Sequence, residues 1–407
     1  VFLLSHPTGN QNMRNTALAL QEVGRLAEVW TCLAFDPGSL TARMLPGALK
    51  AEAARRAFPP TLRPLLRTQP WRELARLLTR RVGWHSASEH ERGWCSVDAV
   101  YHALDRRIAR RLGRCRGLTA VYAYEDGAAA SFAAAARLGC KRVYDLPIGY
   151  WRTFEAICRT EQQAEPEWAS TLVGTRDSAE KRARKDDELA AADLILVASN
   201  FTASTLRDYP GTLAPVRVIP YGAPTPPAVP RRWSEEGPLR VLYVGSLSQR
   251  KGLSYLFRAV AALGSGVSLT VVGSRVAECP ALERSLAAHR HLVSLPHGEV
   301  LALMREHDVL VFPSLFEGFG LVITEAMSQG MVVITTPNTA GPDVISDGVD
   351  GFVVPIRDHG AIAGRLELLR SDRQRLAAMG SAASAAAGRR DWAAFRSDLR
   401  TAIGVLP

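Results

Sequence analysis

Glu317 and Glu325 stand eight positions apart in the run Phe312-Pro-Ser-Leu-Phe-Glu317-Gly-Phe-Gly-Leu-Val-Ile-Thr-Glu325-Ala-Met-Ser-Gln-Gly330. An apolar strand, Val309 to Phe312, leads into a glycine-flanked turn and then a short helix closed by Gly330. The spacing puts Glu317 in the turn and Glu325 about one turn inside the helix. Free backbone amides at the helix start, Phe319 to Leu321, offer hydrogen bonds to an anion, and the helix dipole favours negative charge there. A phosphate at that point leaves the two carboxylates to reach hydroxyls on either side of it. A nucleotide sugar has that layout, with diphosphate in the middle, ribose at one end and hexose at the other. A capped helix with two solvated glutamates is the alternative, and the pair alone does not decide between them.

About seventy residues upstream lies Val241-Leu-Tyr-Val-Gly245-Ser-Leu-Ser-Gln-Arg250-Lys251-Gly252-Leu, another strand, glycine-bearing loop and helix start. Gly245 leaves room for a ligand to approach the backbone. Arg250 and Lys251 are adjacent cations, one a planar fork and one a point charge, suited to a diphosphate.

Together these motifs resemble the group 1 glycosyltransferases, retaining enzymes of the GT-B fold. The resemblance runs through most of the second half: Gly245 to Gly252, Phe312 to Gly330, and Ile334-Thr-Thr through Gly341-Pro-Asp to Gly351-Phe-Val-Val-Pro. It implies an α/β chain of two doubly wound Rossmann-like domains facing each other across a cleft. It implies that Arg250 and Lys251 hold the donor diphosphate, that Glu317 faces the transferred sugar and that Glu325 takes the ribose hydroxyls. Gly318, Phe319, Gly320 and Leu321 then line the sugar-phosphate pocket, and the base sits near His297 and Gly298. The implied reaction moves a hexose from a UDP- or GDP-sugar to a hydroxyl of a sugar, glycolipid or other acceptor, in glycan, glycolipid or polysaccharide synthesis. A non-catalytic binding protein and a nucleotide-sugar epimerase are the competing readings. Intact motif clusters weigh against the first, and a product assay separates the second, since an epimerase needs no acceptor.

The elements that must position these residues follow from pattern. The second half alternates apolar runs, Leu239–Val244, Ser268–Val272, Leu292–Leu295, Val309–Phe312, Val332–Thr335 and Phe352–Val354, with helical stretches such as Gly252–Leu263 and Leu321–Gln329. That rhythm predicts a parallel sheet, with ligands beyond the carboxyl ends of its strands. The first half predicts strands at Val1–Ser5, Val29–Leu33, Thr119–Ala123, Lys141–Tyr144 and Leu194–Ala198. Between 36 and 96 the pattern breaks into helical pieces, including Leu62-Arg-Pro-Leu-Leu-Arg and Trp71-Arg-Glu-Leu-Ala-Arg-Leu-Leu. In the latter, apolar residues at 71, 74, 77 and 78 mark one helix face, either docked on the sheet or lying on a membrane. Gly222-Ala-Pro-Thr-Pro-Pro-Ala-Val-Pro reads as a stiff linker. It divides the chain into residues 1–223 and 224–390, and the resemblance implies that a last helix, about 391–407, packs back on the first part.

The first part supplies the other wall of the cleft. Ser5-His6-Pro-Thr-Gly9-Asn10-Gln-Asn-Met-Arg14 follows the first strand, and Gly9 permits close approach of a ligand there. His6, Asn10 and Arg14 are acceptor-side candidates, as are Glu125 and Asp126 in Val121-Tyr-Ala-Tyr-Glu125-Asp126-Gly127. Family members often carry a histidine at the latter place; here adjacent carboxylates leave the acceptor chemistry open. The stretch from Asp145 to Arg152 also ends near the cleft and reads as an ordinary loop.

Length of 407 residues favours two domains. No apolar run approaches ~20 residues, so no transmembrane helix is expected. The chain opens on an apolar strand without a basic leader, which does not read as a secretion signal, and the missing initial Met suggests a partial start. Six scattered cysteines without a Cys-x-x-Cys pair read as reduced thiols, consistent with a cytoplasmic location. No Asp-x-Asp motif stands at a strand end, so neither metal nor other cofactor is expected; cations and a helix dipole offset the diphosphate charge instead. Of the +10 net charge, 17 Lys and Arg against 6 Asp and Glu lie between Arg43 and Arg116. That patch suits an anionic acceptor or peripheral contact with an anionic membrane, such as one carrying a lipid-linked saccharide, with an ordinary arginine-rich solvated face as the alternative, and nucleic acid is not an expected partner.

Overall fold

A computed structural model describes residues 1–38, 53–54, 56–229, 231–233 and 236–404. Arg43 and Lys50 of the basic stretch, Pro230 of the linker and residues 405–407 of the last helical stretch lie outside the described residues. Two parallel sheets form the frame. The first runs β1 (Phe2–Ser5), β2 (Leu26–Thr31), β3 (Leu66–Thr68), β4 (Ala120–Tyr124), β5 (Lys141–Leu146), β6 (Leu194–Val197) and β7 (Val216–Val218), in spatial order β3-β2-β1-β4-β5-β6-β7. The second runs β8 (Leu239–Val244), β9 (Val267–Val272), β10 (Arg290–Leu292), β11 (Val309–Phe312), β12 (Val332–Thr335) and β13 (Gly351–Val353), in order β10-β9-β8-β11-β12-β13. Helices cover both faces, which is why the central strands are almost continuously apolar. In β4, Tyr122 and Tyr124 enter the core on one face, while Val121 and Ala123 enter the core on the other.

In each sheet the strand order reverses at one place, between β1 and β4 and between β8 and β11. Those are the switch points where crevices open beyond the strand ends. Both motif loops, after β8 and after β11, therefore meet at one crevice.

The sequence expectations differ from the structure at the sheet margins. The piece Leu62–Arg67 is a short 3-10 turn, Pro60–Leu65, and then edge strand β3, whose Leu66 pairs with Val29. Pro64 cannot continue a helix, and a three-residue strand carries too little periodicity to be seen. The β7 edge strand was hidden for the same reason. β2 begins at Leu26 and ends at Thr31, and β10 spans Arg290–Leu292, leaving Val293 exposed beyond it. β10 is an edge strand paired on one side only, so its apolar run does not mark its bounds, whereas β2 lies inside the sheet between β1 and β3.

Two helices tie the halves together. Trp392–Gly404 returns to the first sheet, where Phe395, Leu399 and Ile403 join its core and Arg396 pairs with Glu22 at 2.8 Å. The helix Trp151–Ala164 leaves β5 and reaches the second sheet's side. Its fully buried Glu161 accepts from Gln249 Nε2 at 2.7 Å, Tyr255 Oη at 2.9 Å and Arg357 Nε at 2.7 Å. Trp168, just beyond, stacks on Phe257 and belongs to the second core.

At the C-terminal end of β5, Asp145 is buried among Tyr122, Tyr124 and Tyr221, and Tyr122 Oη donates to it at 2.7 Å. Burial pushes its carboxyl up to about 7, with the tyrosine hydroxyls opposing. A carboxyl raised in the folded state keeps its proton while the unfolded chain loses its own. Its contribution is therefore fully present below about pH 4 and lost as pH rises to about 7. Asp145→Asn is expected to flatten that loss, so urea unfolding at about pH 5 and about pH 8 should show the variant gaining on wild type at the higher pH. Glu125 and Glu188, also raised to about 7, titrate in the same window, so the reading is the difference between the two proteins. A gap that does not change with pH contradicts the assignment.

Candidate nucleotide-sugar site

The turn after β11 carries Glu317 and ends at Gly320, whose φ of +83° starts the helix Leu321–Ser328. A side chain at Gly320 would stand 3.0 Å from the Phe312 ring in a left-handed conformation that only glycine adopts without strain. The helical ladder begins with the Ile323 amide, which reaches Gly320 O at 2.9 Å. The amides before it have no carbonyl within the helix to meet.

The loop after β8 abuts this turn. Leu315 N donates to Arg250 O at 2.8 Å, and a side chain on Gly252 would lie 2.1 Å from Pro313 O. That contact brings the two cations onto the glutamate. Lys251 Nζ is in direct contact with Glu317 Oε2; Arg250 Nη1 lies 3.4 Å from the same oxygen and donates to Phe316 O at 2.7 Å. The Lys251 ammonium also sits 4.8 Å from the Phe312 ring centroid. Burial and then the Arg250 charge push the Lys251 pKa well down, and the touching Glu317 carboxylate opposes them. Two cations against one carboxylate leave this buried point short of negative charge.

Glu325 faces the same side one helical turn on. Burial raises its pKa, opposed by His297, whose Nδ1 lies 3.7 Å from Oε1. His297 opens the helix His297–Glu306 and is exposed, and Gly298 beside it has open space where a side chain would be. Gly245 backs onto Gly273, where a side chain would fall 1.8 Å from Gly245 O. Gly273 was not singled out from sequence, since a lone glycine after a strand has many explanations.

The first domain grips the Glu317 turn from outside. Gly318 O accepts from Ser199 Oγ at 2.6 Å and Thr202 Oγ1 at 2.9 Å, and a side chain on Gly318 would lie 1.8 Å from Pro147 O. Phe316 packs between Phe154 and Phe201, at 5.0 and 5.5 Å between centroids, and fills the space beside Gly149. Phe319 packs on Tyr221 at 5.1 Å. Gly318 therefore serves the seam between domains. Below, Thr171 accepts from Ser248 Oγ at 2.7 Å through its carbonyl and from the Gln249 amide at 2.8 Å through its hydroxyl. Ser199, Thr202, Phe316, Thr171 and Glu161 escaped the sequence reading because a Ser-x-x-Thr helix start or a lone Glu on a helix gives no long-range signal.

The acceptor-side candidates are held more tightly than their loops suggested. His6 is buried, stacks edge-on with Tyr124 at 4.5 Å and accepts from the Thr8 amide at 3.1 Å; burial lowers its pKa to about 3, so it is neutral. Gly9 has φ +56°, but the space for its side chain is taken by Phe58, 2.6 Å away. Its carbonyl accepts from Arg14 Nε at 2.8 Å, and Asn10 caps the following helix through Met13 N at 2.9 Å. Glu125 and Asp126 point into a charge cluster: Lys185 lies 3.6 Å from Glu125 and 3.9 Å from Asp126, and Lys181 and Lys185 reach Asp177 at 3.2 and 3.3 Å. Beside it, His90, Glu91 and Asp177 form the one group among the described residues with metal-ligand spacing, although the two lysines already face Asp177. These candidates stand at the C-terminal ends of β1 and β4 in the first domain.

Residues 230–386 match the family of glycosyl transferases group 1. The capsular polysaccharide biosynthesis glycosyltransferase CapM of Staphylococcus aureus is 34% identical over 137 residues, 32% of this chain and 36% of that protein. D-inositol 3-phosphate glycosyltransferase of Corynebacterium jeikeium is 30% identical over 260 residues, 57% of this chain and 62% of that protein. The chain spans about a third of the length of the first curated relatives it matches. Among solved structures, Anabaena Alr3699/HepE in complex with UDP superposes with a TM-score of 0.62 at 16% identity, covering 100% of both chains. Sucrose-phosphate synthase from Thermosynechococcus elongatus gives 0.61 at 18% identity, covering 98% of this chain and 97% of that one. The chain has the GT-B fold, and its residues 230–386 are similar to the glycosyl transferases of group 1.

Proposed function

We propose that the protein is a retaining, metal-independent hexosyltransferase using a UDP- or GDP-sugar. The convergence of Arg250 and Lys251 on Glu317, from 67 and 66 positions away, carries this reading. An incoming diphosphate supplies the negative charge that point lacks, and the cations exchange the carboxylate for phosphate oxygens. Glu317 is then released toward the hexose. In the transfer the bond from the anomeric carbon to the phosphate oxygen breaks and one to the acceptor hydroxyl oxygen forms, with the acceptor proton leaving on the departing diphosphate. Arg250, Lys251 and the amides ahead of Ile323 stabilise the charge that grows on that group. Glu325, near His297, takes the ribose. The complex of HepE with UDP, on the same fold, supports a nucleotide donor.

Lys251→Ala is expected to lower turnover by ~100- to 1,000-fold, the usual loss for one donor aimed at developing charge. Arg250→Lys should also slow the reaction, because an ammonium is not equivalent to a planar fork at a diphosphate. Turnover of Lys251→Ala within about threefold of wild type contradicts the role.

The two glutamates should separate kinetically. Glu325→Gln raises KM for the donor with kcat little changed, since ribose is held equally in ground and transition states. Glu317→Gln lowers kcat, since that carboxylate meets the sugar as positive charge grows at its anomeric carbon. The reverse pattern exchanges the roles.

Transfer activity should survive EDTA. A requirement for Mn²⁺ restored after chelation overturns metal independence and directs attention to His90, Glu91 and Asp177.

A further inference from the structure

The helix Trp71–Arg81 is built inside out. Its polar Glu73 and Thr79 are buried, and Arg76 donates to both Glu73 oxygens at 2.7 Å. Trp71, Leu74 and Leu78 face solvent, at 73%, 39% and 62% exposure, as does Val82 just past the helix end at 75%, while Leu77 is half-buried. At about 100° per residue these four form one narrow stripe. Trp84 and Trp94 widen it; Arg72 donates to Trp94 O at 2.5 Å and lies over that ring at 5.3 Å. A helix of an isolated domain turns its apolar stripe inward, and contiguous exposed apolar surface marks a binding face.

Charge identifies the occupant. The stretch Arg43–Arg116 holds 17 basic against 6 acidic residues, and Arg67, Arg81 and Arg92 are exposed close to the stripe in sequence. A second copy would set two such basic surfaces face to face. An anionic bilayer complements both parts, taking tryptophan and aliphatic side chains at the headgroup boundary and arginines against lipid phosphates. We propose that the Trp71–Leu74–Leu78–Val82 stripe, with Trp84 and Trp94, docks the protein on an anionic membrane surface. Trp71 follows three residues after β3 ends at Thr68, at the same end of the sheet as the His6–Gly9 loop. Docking there brings the acceptor wall of the cleft to the lipid boundary. The surface is separate from the transfer site, so binding is read without activity.

The test is flotation of the full chain with vesicles of phosphatidylcholine alone and with added phosphatidylglycerol, at low and physiological salt. Wild type should float with the anionic vesicles, more at low salt, and its tryptophan emission should shift to the blue. Trp71→Ala/Leu78→Ser/Val82→Ser should reduce partitioning by at least about tenfold, and Arg81→Glu/Arg92→Glu should remove its salt sensitivity. All five substituted side chains are exposed, so melting temperatures should stay near wild type and exclude unfolding as the cause. No flotation of wild type, or equal flotation of the apolar variant, overturns the proposal. So does a wild-type dimer that the apolar variant converts to monomer without any lipid binding.

Discussion

The cleft depends on one charge arrangement: a carboxylate at Glu317 met by two nearly buried cations. Burying an ion costs several kcal/mol unless partners compensate, and here compensation is incomplete by one charge. Lys251 and Arg250 both touch Glu317, but burial pushes both pKa values down, and the Arg250 charge lowers that of Lys251 further. On the proposed function, a diphosphate that displaces Glu317 from the two cations relieves that imbalance where the leaving group forms. The same arrangement positions the backbone. Arg250 reaches Phe316 O, and its own carbonyl accepts from Leu315 N, so neither loop can shift without disturbing the other.

The two motif loops were legible because their turns are local in sequence. A strand, a glycine turn and a helix start predict free amides and close approach, and Gly320 and Gly252 occupy left-handed conformations where those turns require them. The alternation of runs was enough to predict both sheets, and the switch points then bring the loops together. What could not be read is contact between distant segments. Phe58 filling the space beside Gly9, Ser199 and Thr202 holding Gly318, and Glu161 serving Gln249 each join residues dozens of positions apart. Glycine at position 318 illustrates the ambiguity: bareness suited to a ligand and bareness suited to a neighbouring domain look identical in sequence.

Glu125 and Asp126 show a related effect. Paired carboxylates at a strand end suggest ligand chemistry, yet Lys181 and Lys185 come from one helix, Ala179–Ala191, at a spacing of four and face them together. Asp126 itself is held at φ +65°, its amide donating to Glu188 at 2.9 Å. The turn is thus secured by its charges. Asp145, which read as part of an ordinary loop, is the buried carboxyl nearer the domain seam, because Tyr221 packs against both its neighbourhood and Phe319.

The helix Trp151–Ala164 explains how two domains present one site. At its start Tyr150 and Trp151 donate to Asp186 of the first domain at 2.6 and 2.7 Å. Three turns later Glu161 is bonded to Gln249, Tyr255 and Arg357 of the second. Removing Glu161 would leave the Gln249 amide, the Tyr255 hydroxyl and the Arg357 cation competing for water at a buried seam, and unsatisfied buried groups each cost ~1–3 kcal/mol. The cations Arg250 and Lys251 follow directly after Gln249. Their geometry is therefore referenced to the first domain through one rigid helix, while the Glu317 turn is referenced to the same domain through Ser199 and Thr202. Both loops are thus anchored to a common wall, so the Arg250–Lys251–Glu317 cluster sits in a frame fixed from the first domain.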